Sequence, residues 1–309
     1  MLTTIDGTPI SRFCFGAMQF GRGADLEAAR AMYDRCRVAG INIFDTAHGY
    51  NDGLSEEWLG QMVRPEREGV FFATKLAATG GSGRANILKQ FAISQKRHGL
   101  DCVDLLYLHR WDPDTPLEDS FETLAELHAG GKIRHIGLSN FAAWQVMKAA
   151  HVAAGFGLRI AAIQPMYSLV KRQVEAEILP MARDQKIAVL PYSPLGGGLL
   201  TGKYRDGAAG RLTRDKTYAA RYRAAWMHDT AAGLADLADQ LDQSPATLAV
   251  AWVAHHPDIT APIISARSAE QLEPSLRALD YRLPDQIRDR ITALSQPPDP
   301  ATDRSEEVA

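Results

Sequence analysis

The chain has 309 residues, 46% of them hydrophobic and 23% charged, with a formal net charge of -3. That balance is ordinary for a soluble globular protein and offers no basic surface for nucleic acid. No apolar run approaches the roughly 20 residues that span a bilayer, and the first residues, Met1-Leu2-Thr3-Thr4-Ile5-Asp6, have neither the basic region nor the apolar core of a signal peptide.

The elements read in order as follows. Residues 2–10 form a small hairpin turning at Asp6-Gly7. Phe13-Cys14-Phe15-Gly16-Ala17 is the first barrel strand. Asp25 caps a helix that runs to about Ala39, and Gly40 ends it. The second strand is 41–44, followed by a turn at Asn51-Asp52-Gly53 and a helix over 55–63 that Pro65 closes. Strand three is 70–74, and 79–83 is a glycine-rich connection without the Lys-Ser/Thr ending of a P-loop. Helix 84–98, strand 103–108, helix 117–129, strand 133–138, helix 142–153 and strand 160–163 continue the alternation. A helix over 174–185 and a strand over 187–190 lead to a long loop, 194–219. Helices 220–241 and 245–254 follow, the second opened by Ser244 with Pro245 at its first position. Strand 261–264, helix 269–279 and a further helix 284–294 complete the count, and 297–309 reads as a mobile tail.

Eight strands alternating with helices through short connections predict parallel βα units closed into a (β/α)8 TIM barrel, with an N-terminal β-hairpin and extra C-terminal helices. The usual prior for this length is two domains, but α/β barrels reach this size as one, so 1–309 is expected to be a single domain. No G-x-G-x-x-G follows a strand, which argues against a Rossmann sheet. Cys14, Cys36 and Cys102 are far apart, odd in number and without a CxxC, so they read as buried thiols in a reducing compartment. The expected location is cytoplasmic, with no nucleic-acid or membrane partner, and nothing specifies an oligomeric state.

Several strands end in chemistry-bearing residues. Phe44-Asp45-Thr46-Ala47-His48-Gly49-Tyr50 closes the second strand, Lys75 the third and His109 the fourth. The C-terminal ends of parallel barrel strands open on one face, where these groups can meet. A phenol is a reluctant acid at neutral pH, and a nearby ammonium lowers its pKa. Lys75 is the candidate ammonium, Asp45 the carboxylate that keeps it charged, and His109 a holder for a substrate oxygen beside Tyr50. A proton donor with an electrostatic clamp around one oxygen suits carbonyl reduction. Other readings stand beside this one: structural salt bridges, a buried histidine at 109, a metal set of Asp45, His48 and His109, or a Schiff-base Lys75.

The chain resembles the aldo-keto reductase family from Phe15 to about Leu279. The motifs are Asp45-Thr46-Ala47 with Tyr50, Ser55-Glu56 and Leu59-Gly60, then Ala73-Thr74-Lys75, then 101–109 ending in His109, and 131–141 with Ser139-Asn140. The resemblance implies an NADP(H)-linked carbonyl reductase or alcohol dehydrogenase acting on a small-molecule carbonyl or alcohol. It makes Tyr50 the general acid–base, with Lys75, Asp45 and His109 in the roles above. It places Ser139, Asn140 and Gln164 on the nicotinamide carboxamide and Tyr192 on the nicotinamide ring. Residues 193–204, with Ser193, Leu195, Gly197 and Lys203, resemble the segment around the pyrophosphate, and 264–272, with Arg267 and Gln271, the segment at the adenosine 2'-phosphate. In the first loop Gly16 and Met18 fall on the cofactor side, Gly16 leaving room for a ligand, and Phe20 on the substrate side. Arg110 and Trp111 are substrate candidates. The resemblance also admits a cofactor-bound regulatory subunit like the potassium-channel β subunits, which the intact four-residue set disfavours. Three departures stand out: Asn51 where the family has Gly, Pro274-Ser275 where many members have Glu-Asn, and an apolar first loop at 16–20.

Overall fold

A computed structural model describes residues 1–205, 207–302 and 304. Among them, eight parallel strands lie in the order β7-β6-β5-β4-β3-β2-β1-β8. The strands are β1 Cys14–Gly16, β2 Ile43–Asp45, β3 Phe71–Leu76, β4 Val103–Leu108, β5 Ile133–Ser139, β6 Ile160–Gln164, β7 Ala188–Val189 and β8 Ile263–Ile264. The first and last meet without a regular ladder. Thr260 N–H and Ala261 N–H donate to Val189 O (2.9 and 3.3 Å) and Ile263 N–H to Pro191 O (2.8 Å), so the seam is closed by backbone beyond the two short strands. The (β/α)8 architecture is as expected from the alternation.

Helices wrap the strands: α1 Leu26–Val38, α2 Leu54–Val63, α3 Arg84–His98, α4 Leu117–Ala129, α5 Ala143–Gly155 and α6 Ile178–Asp184 come before β7. After it come α7 Arg211–Arg214, α8 Lys216–Arg221, α9 Ala225–Gln240 and α10 Pro245–Ala254, and after β8, α11 Ala269–Asp280 and α12 Asp285–Thr292. Local chemistry sets their ends. Asp25 accepts from Ala28 N–H at the start of α1, and Gly40 leaves the helix at φ 79°, a conformation glycine adopts freely. Ser244 caps α10 ahead of Pro245.

Two expectations need correction. The helix over 174–185 is split into a 3-10 turn, Gln173–Glu175, and α6. The long loop 194–219 contains a 3-10 turn, Gly196–Thr201, and the short helices α7 and α8; Asp206 within it lies outside the described residues. The helix expected over 55–63 ends at Val63, and a 3-10 stretch, Arg64–Gly69, with Pro65 near its start, carries the chain on to β3. Of the expected tail, 303 and 305–309 lie outside the described residues, and 297–302 contain no helix or strand.

The barrel interior is a buried cluster that includes Cys14, Ile43, Phe71, Ala73, Leu105, Tyr107, Ala162, Leu190 and Ile263. Gly137 makes room in it, since a Cβ there would lie 2.5 Å from the Tyr107 ring. Leu2 joins the cluster, so the N-terminal hairpin plugs one end; it is reduced to a single bridge, Thr3 to Pro9. Side chains alternate along a strand. Asp45 therefore continues the face of Ile43, Lys75 that of Phe71 and Ala73, and His109 that of Leu105 and Tyr107. The same alternation that fills the barrel aims these groups into its open end. Among the described residues no helix is long and apolar enough to cross a membrane.

Candidate active site

Lys75 is fully buried and spends its ammonium protons on three acceptors. It pairs with the Asp45 carboxylate, and donates to Thr46 O at 2.7 Å and to the Tyr50 hydroxyl at 3.4 Å. Gln164 Nε2 donates to the other Asp45 oxygen at 2.9 Å. Asp45 is thus held by β3 and β6, and Lys75 lies between it and the phenol. The Tyr50 ring meets the His109 ring edge-on, with centroids 5.8 Å apart. Backbone bonds fix the loops that present them: Thr46 N–H to Ala73 O (2.9 Å), His48 N–H to Lys75 O (3.0 Å) and His109 N–H to Leu76 O (2.8 Å).

Burial pushes the Asp45 carboxyl up, opposed by Lys75 and Gln164. Burial also disfavours the Lys75 ammonium, but Asp45 and Tyr50 outweigh it and raise its pKa, so it stays charged. For Tyr50 the sequence predicts a net lowering by Lys75. Lys75 does lower it, but burial prevails and the net direction is upward. The phenol therefore keeps its proton across the neutral range. Burial, with the charges of Lys75 and Arg110 behind it, pushes His109 down to about 3, so its imidazole is neutral. Its buried Nδ1 has no hydrogen-bond partner among the described residues. The arrangement sets a protonated phenol and a neutral imidazole around one space, with an ammonium behind the phenol.

The metal reading does not survive the geometry. His48 turns away to Ser94 (3.0 Å) and Arg97 (3.3 Å), and no three His, Cys, Asp or Glu among the described residues are grouped to hold a metal.

The expected carboxamide residues form one connected set. Ser139 Oγ donates to Gln164 O (3.0 Å), and Asn140 Nδ2 donates to Ser139 Oγ (3.0 Å) and His109 O (2.9 Å). Tyr192 OH donates to Asn140 Oδ1 at 2.6 Å, which brings the expected ring-stacking residue to the same edge. Asn140 and Ser193 both have positive φ, 60° and 63°, a cost that tends to collect at functional sites. Gly196, Gly197 and Gly198 follow with φ of 56°, 66° and 98°. Side chains rarely adopt that sequence of angles; Gly196 N–H and Gly198 N–H donate back to Ser193 O and Leu195 O (both 2.9 Å), which closes the turn on itself. Leu195, ahead of them, packs on the core.

Sequence reasoning picked out Lys203 and Arg267 but missed their company. Arg22, Arg211, Arg214 and Arg267 line one cleft of about 300 Å³ together with Gln19, Gly23 and Asp215. Lys203 adds a fifth cation: desolvation and the guanidiniums of Arg267, Arg211 and Arg214 push its pKa down. The one carboxylate there, Asp215, already caps α8 through Thr217 N–H and meets Arg22 at 3.5 Å. Such an excess of positive charge fits a phosphate-bearing ligand. The signal was present in composition, for 203–223 carries seven Lys and Arg against two Asp in a chain of net charge -3. Gln271 is exposed in the first turn of α11, next to this cleft in sequence. Pro274 and Ser275 lie inside the same helix, with Ser275 buried.

Two first-loop expectations are corrected. A Cβ at Gly16 would lie 2.7 Å from Ile263 Cγ2, so glycine is needed there to pack β1 on β8, not to leave ligand room. Phe20, expected on the substrate side, is fully buried and packs on Phe15 at 5.7 Å. Met18 is half-buried. Arg110 is exposed. Trp111 packs edge-on against Phe141 (5.5 Å) and Trp144 (5.6 Å), and Asp112 bolts its loop to Ser82 N–H (2.8 Å) and Asp114 N–H (3.0 Å). Residues 109–111 and 139–144 thus form an aromatic rim beside His109.

Asp45, Tyr50, Lys75 and His109 thus meet at the C-terminal ends of the barrel strands. The aldo/keto reductase family model matches residues 12–296, and the chain belongs to that family. It is 33% identical to the uncharacterized oxidoreductase YrpG of Bacillus subtilis over 91% of each chain. It is also 33% identical to a probable voltage-gated potassium channel subunit beta of Oryza sativa, over 94% of each. Identity to the norsolorinic acid reductase stcV of Emericella nidulans is 30%, over 93% of this chain and 78% of that protein.

Proposed function

We propose that residues 1–309 work as a single barrel domain that reduces an aldehyde or ketone to an alcohol, or runs the reverse, with NADP(H) and with Tyr50 as the proton donor. The observation that carries this reading is the Lys75 ammonium bonded at once to Asp45 and to the Tyr50 hydroxyl, beside a neutral His109. Bound nicotinamide supplies the hydride. The chain's own residues do the rest. Tyr50 donates a proton to the substrate oxygen, and the adjacent ammonium stabilises the phenolate that results. Asp45, oriented by Gln164, keeps that ammonium charged. His109, neutral, holds the substrate oxygen without competing for the proton.

Ser139, Asn140, Gln164 and Tyr192 are the residues that would hold the nicotinamide. Ser193, Leu195, Gly197 and Lys203 would hold the pyrophosphate, and Met18, half-buried in the loop after β1, would contact the cofactor. Arg267 and Gln271, joined by Arg22, Arg211 and Arg214, would hold the 2'-phosphate. Five cations around one cleft favour NADP(H) over NAD(H). The small-molecule carbonyl would enter past Arg110 and Trp111. A reducing, cytoplasmic location suits the three free cysteines.

The test is titration of the purified protein with NADPH and with NADH by intrinsic fluorescence, followed by a carbonyl panel. Tyr50→Phe should lower kcat by about 10²–10⁴-fold and leave NADPH affinity nearly unchanged. Retention of most turnover in that variant would remove Tyr50 from the role.

A further inference from the structure

The residue after Tyr50 departs from the family pattern, and the structure gives it work. Asn51 has φ 52°, Asp52 55° and Gly53 96°, so three consecutive residues lie in the left-handed region. Asparagine tolerates that region better than most side chains. Its amide does more than tolerate it: Nδ2 donates to Met18 O at 2.8 Å and to Phe20 O at 2.7 Å, using both of its hydrogens. A third carbonyl of the same loop, Ala17 O, accepts from Ser55 Oγ at 2.8 Å, and Ser55 in turn bonds Thr46 Oγ1 at 2.7 Å. The loop after β1, whose continuation Gln19, Arg22 and Gly23 lines the arginine cleft, is therefore stitched at 17, 18 and 20 to the segment that carries Tyr50. On its other side that segment is clamped by Arg97 of α3, which donates to His48 O (2.9 Å) and Asp52 O (3.2 Å).

We propose that Asn51 is a positioning residue that locks the Tyr50 loop to the loop after β1, so that the proton donor and the nucleotide side of the mouth hold one geometry. Glycine at 51 would accept the backbone angles but leave Met18 O and Phe20 O without those donors. Of the three stitches only Ser55 to Ala17 O would remain, and the Tyr50 backbone would be held mainly from the Arg97 side. Displacement of a reacting group by about 1 Å costs on the order of 10²-fold in rate. The catalytic part of this inference rests on the function proposed above; the mechanical coupling does not.

The experiment uses the full-length chain with Asn51→Gly and Asn51→Asp. Asn51→Gly should lower kcat by about 10- to 100-fold, with KM for the carbonyl substrate little changed. In nucleotide-free protein, hydrogen exchange should rise together in two segments, 17–24 and 46–53. Asn51→Asp opposes a carboxylate to two carbonyl oxygens, and only its protonated form can donate, to one of them. Its kcat should recover in part as pH falls, a profile absent from the wild type and from Asn51→Gly. An Asn51→Gly kcat within about twofold of wild type, faster exchange in only one segment, or exchange raised throughout the chain as in a general loss of fold, overturns the proposal. If the wild type reduces no carbonyl compound with NADPH, the functional reading falls, and the exchange result alone decides the coupling.

Discussion

Lys75→Met isolates the buried pair at the centre of the site. Lys75 is fully buried and the Asp45 side chain is 5% exposed, so the lysine's loss leaves a carboxylate in the barrel with only Gln164 donating to it. Breaking a buried pair by removing one partner costs about 3–5 kcal/mol, most of it the desolvation of the charge left behind. Burial already raises Asp45, and without Lys75 opposing it the carboxyl rises further. The sign of the pH effect follows. Between its unfolded pKa and the raised folded value the native state binds the extra proton, so stability falls as pH rises through that window. Relative to wild type, Lys75→Met should lose less stability at pH 5 than at pH 7, read from urea midpoints at unchanged slope. Asp45→Asn added to it removes the stranded charge and keeps an acceptor for Gln164. That double variant should recover to within about 1–2 kcal/mol of wild type, while carbonyl reduction stays depressed because no ammonium lies beside the Tyr50 oxygen. A Lys75→Met protein as stable as wild type, or a double variant no more stable than Lys75→Met, would refute the account of the pair. Regained turnover in the double variant would refute the electrostatic role of Lys75.

Arg267→Ala should weaken NADPH by about 10- to 100-fold, the worth of one charge-assisted contact, and leave NADH nearly unchanged. Arg211→Ala with Arg214→Ala should act in the same direction, and equal weakening of the two nucleotides would detach the cleft from the 2'-phosphate. His98, buried beside Phe72 at 5.1 Å, has a pKa lowered by burial and then by Arg67 to about 4. Its neutral form is the folded one, so its contribution is intact above the unfolded value near 6.5 and is lost as pH falls from there towards 4. The loss amounts to about 3 kcal/mol at full titration. His98→Gln should flatten the dependence of the urea midpoint on pH between 7 and 4.5, and an unchanged dependence would show that His98 does not titrate with unfolding.

The residues that alternate along strands were legible in the sequence. Asp45, Lys75, His109 and Gln164 extend the period-two pattern of the barrel interior, so their type and position both follow from the strand they end. Ser139 and Asn140 were legible only through the family resemblance, since adjacent residues at a strand end cannot share one face. The closing strands were harder: 187–190 and 261–264 contain only two strand residues each, β7 and β8, because the chain bonds across the seam through irregular backbone. The strap after β7 was read as a loop since α7 and α8 are short and without an apolar period. Arg22, Arg211 and Arg214 were missed because an arginine in a polar segment looks solvated until folding brings separate segments together. Phe20 erred the other way, for adjacency to the mouth in sequence did not decide which way its ring turns. Asn51 stood out as an oddity, but its two acceptors lie more than thirty residues earlier in the chain.

The seam between β7 and β8 gives the molecule a direction of failure. Two-residue strands joined through Val189 O and Pro191 O are the thinnest part of a ring that is otherwise laddered from β1 to β6 over longer registers. Tyr192 and Ser193 stand on one lip of that join and Arg267 on the other. A dinucleotide held by both lips would bind only the shut ring, and its binding free energy would add to the work of opening it by RT ln(1 + [L]/Kd). Proteases meeting the empty protein would then find their first purchase near 188–193 and 260–265, and a cell rich in the nucleotide would keep more of this protein intact than one depleted of it.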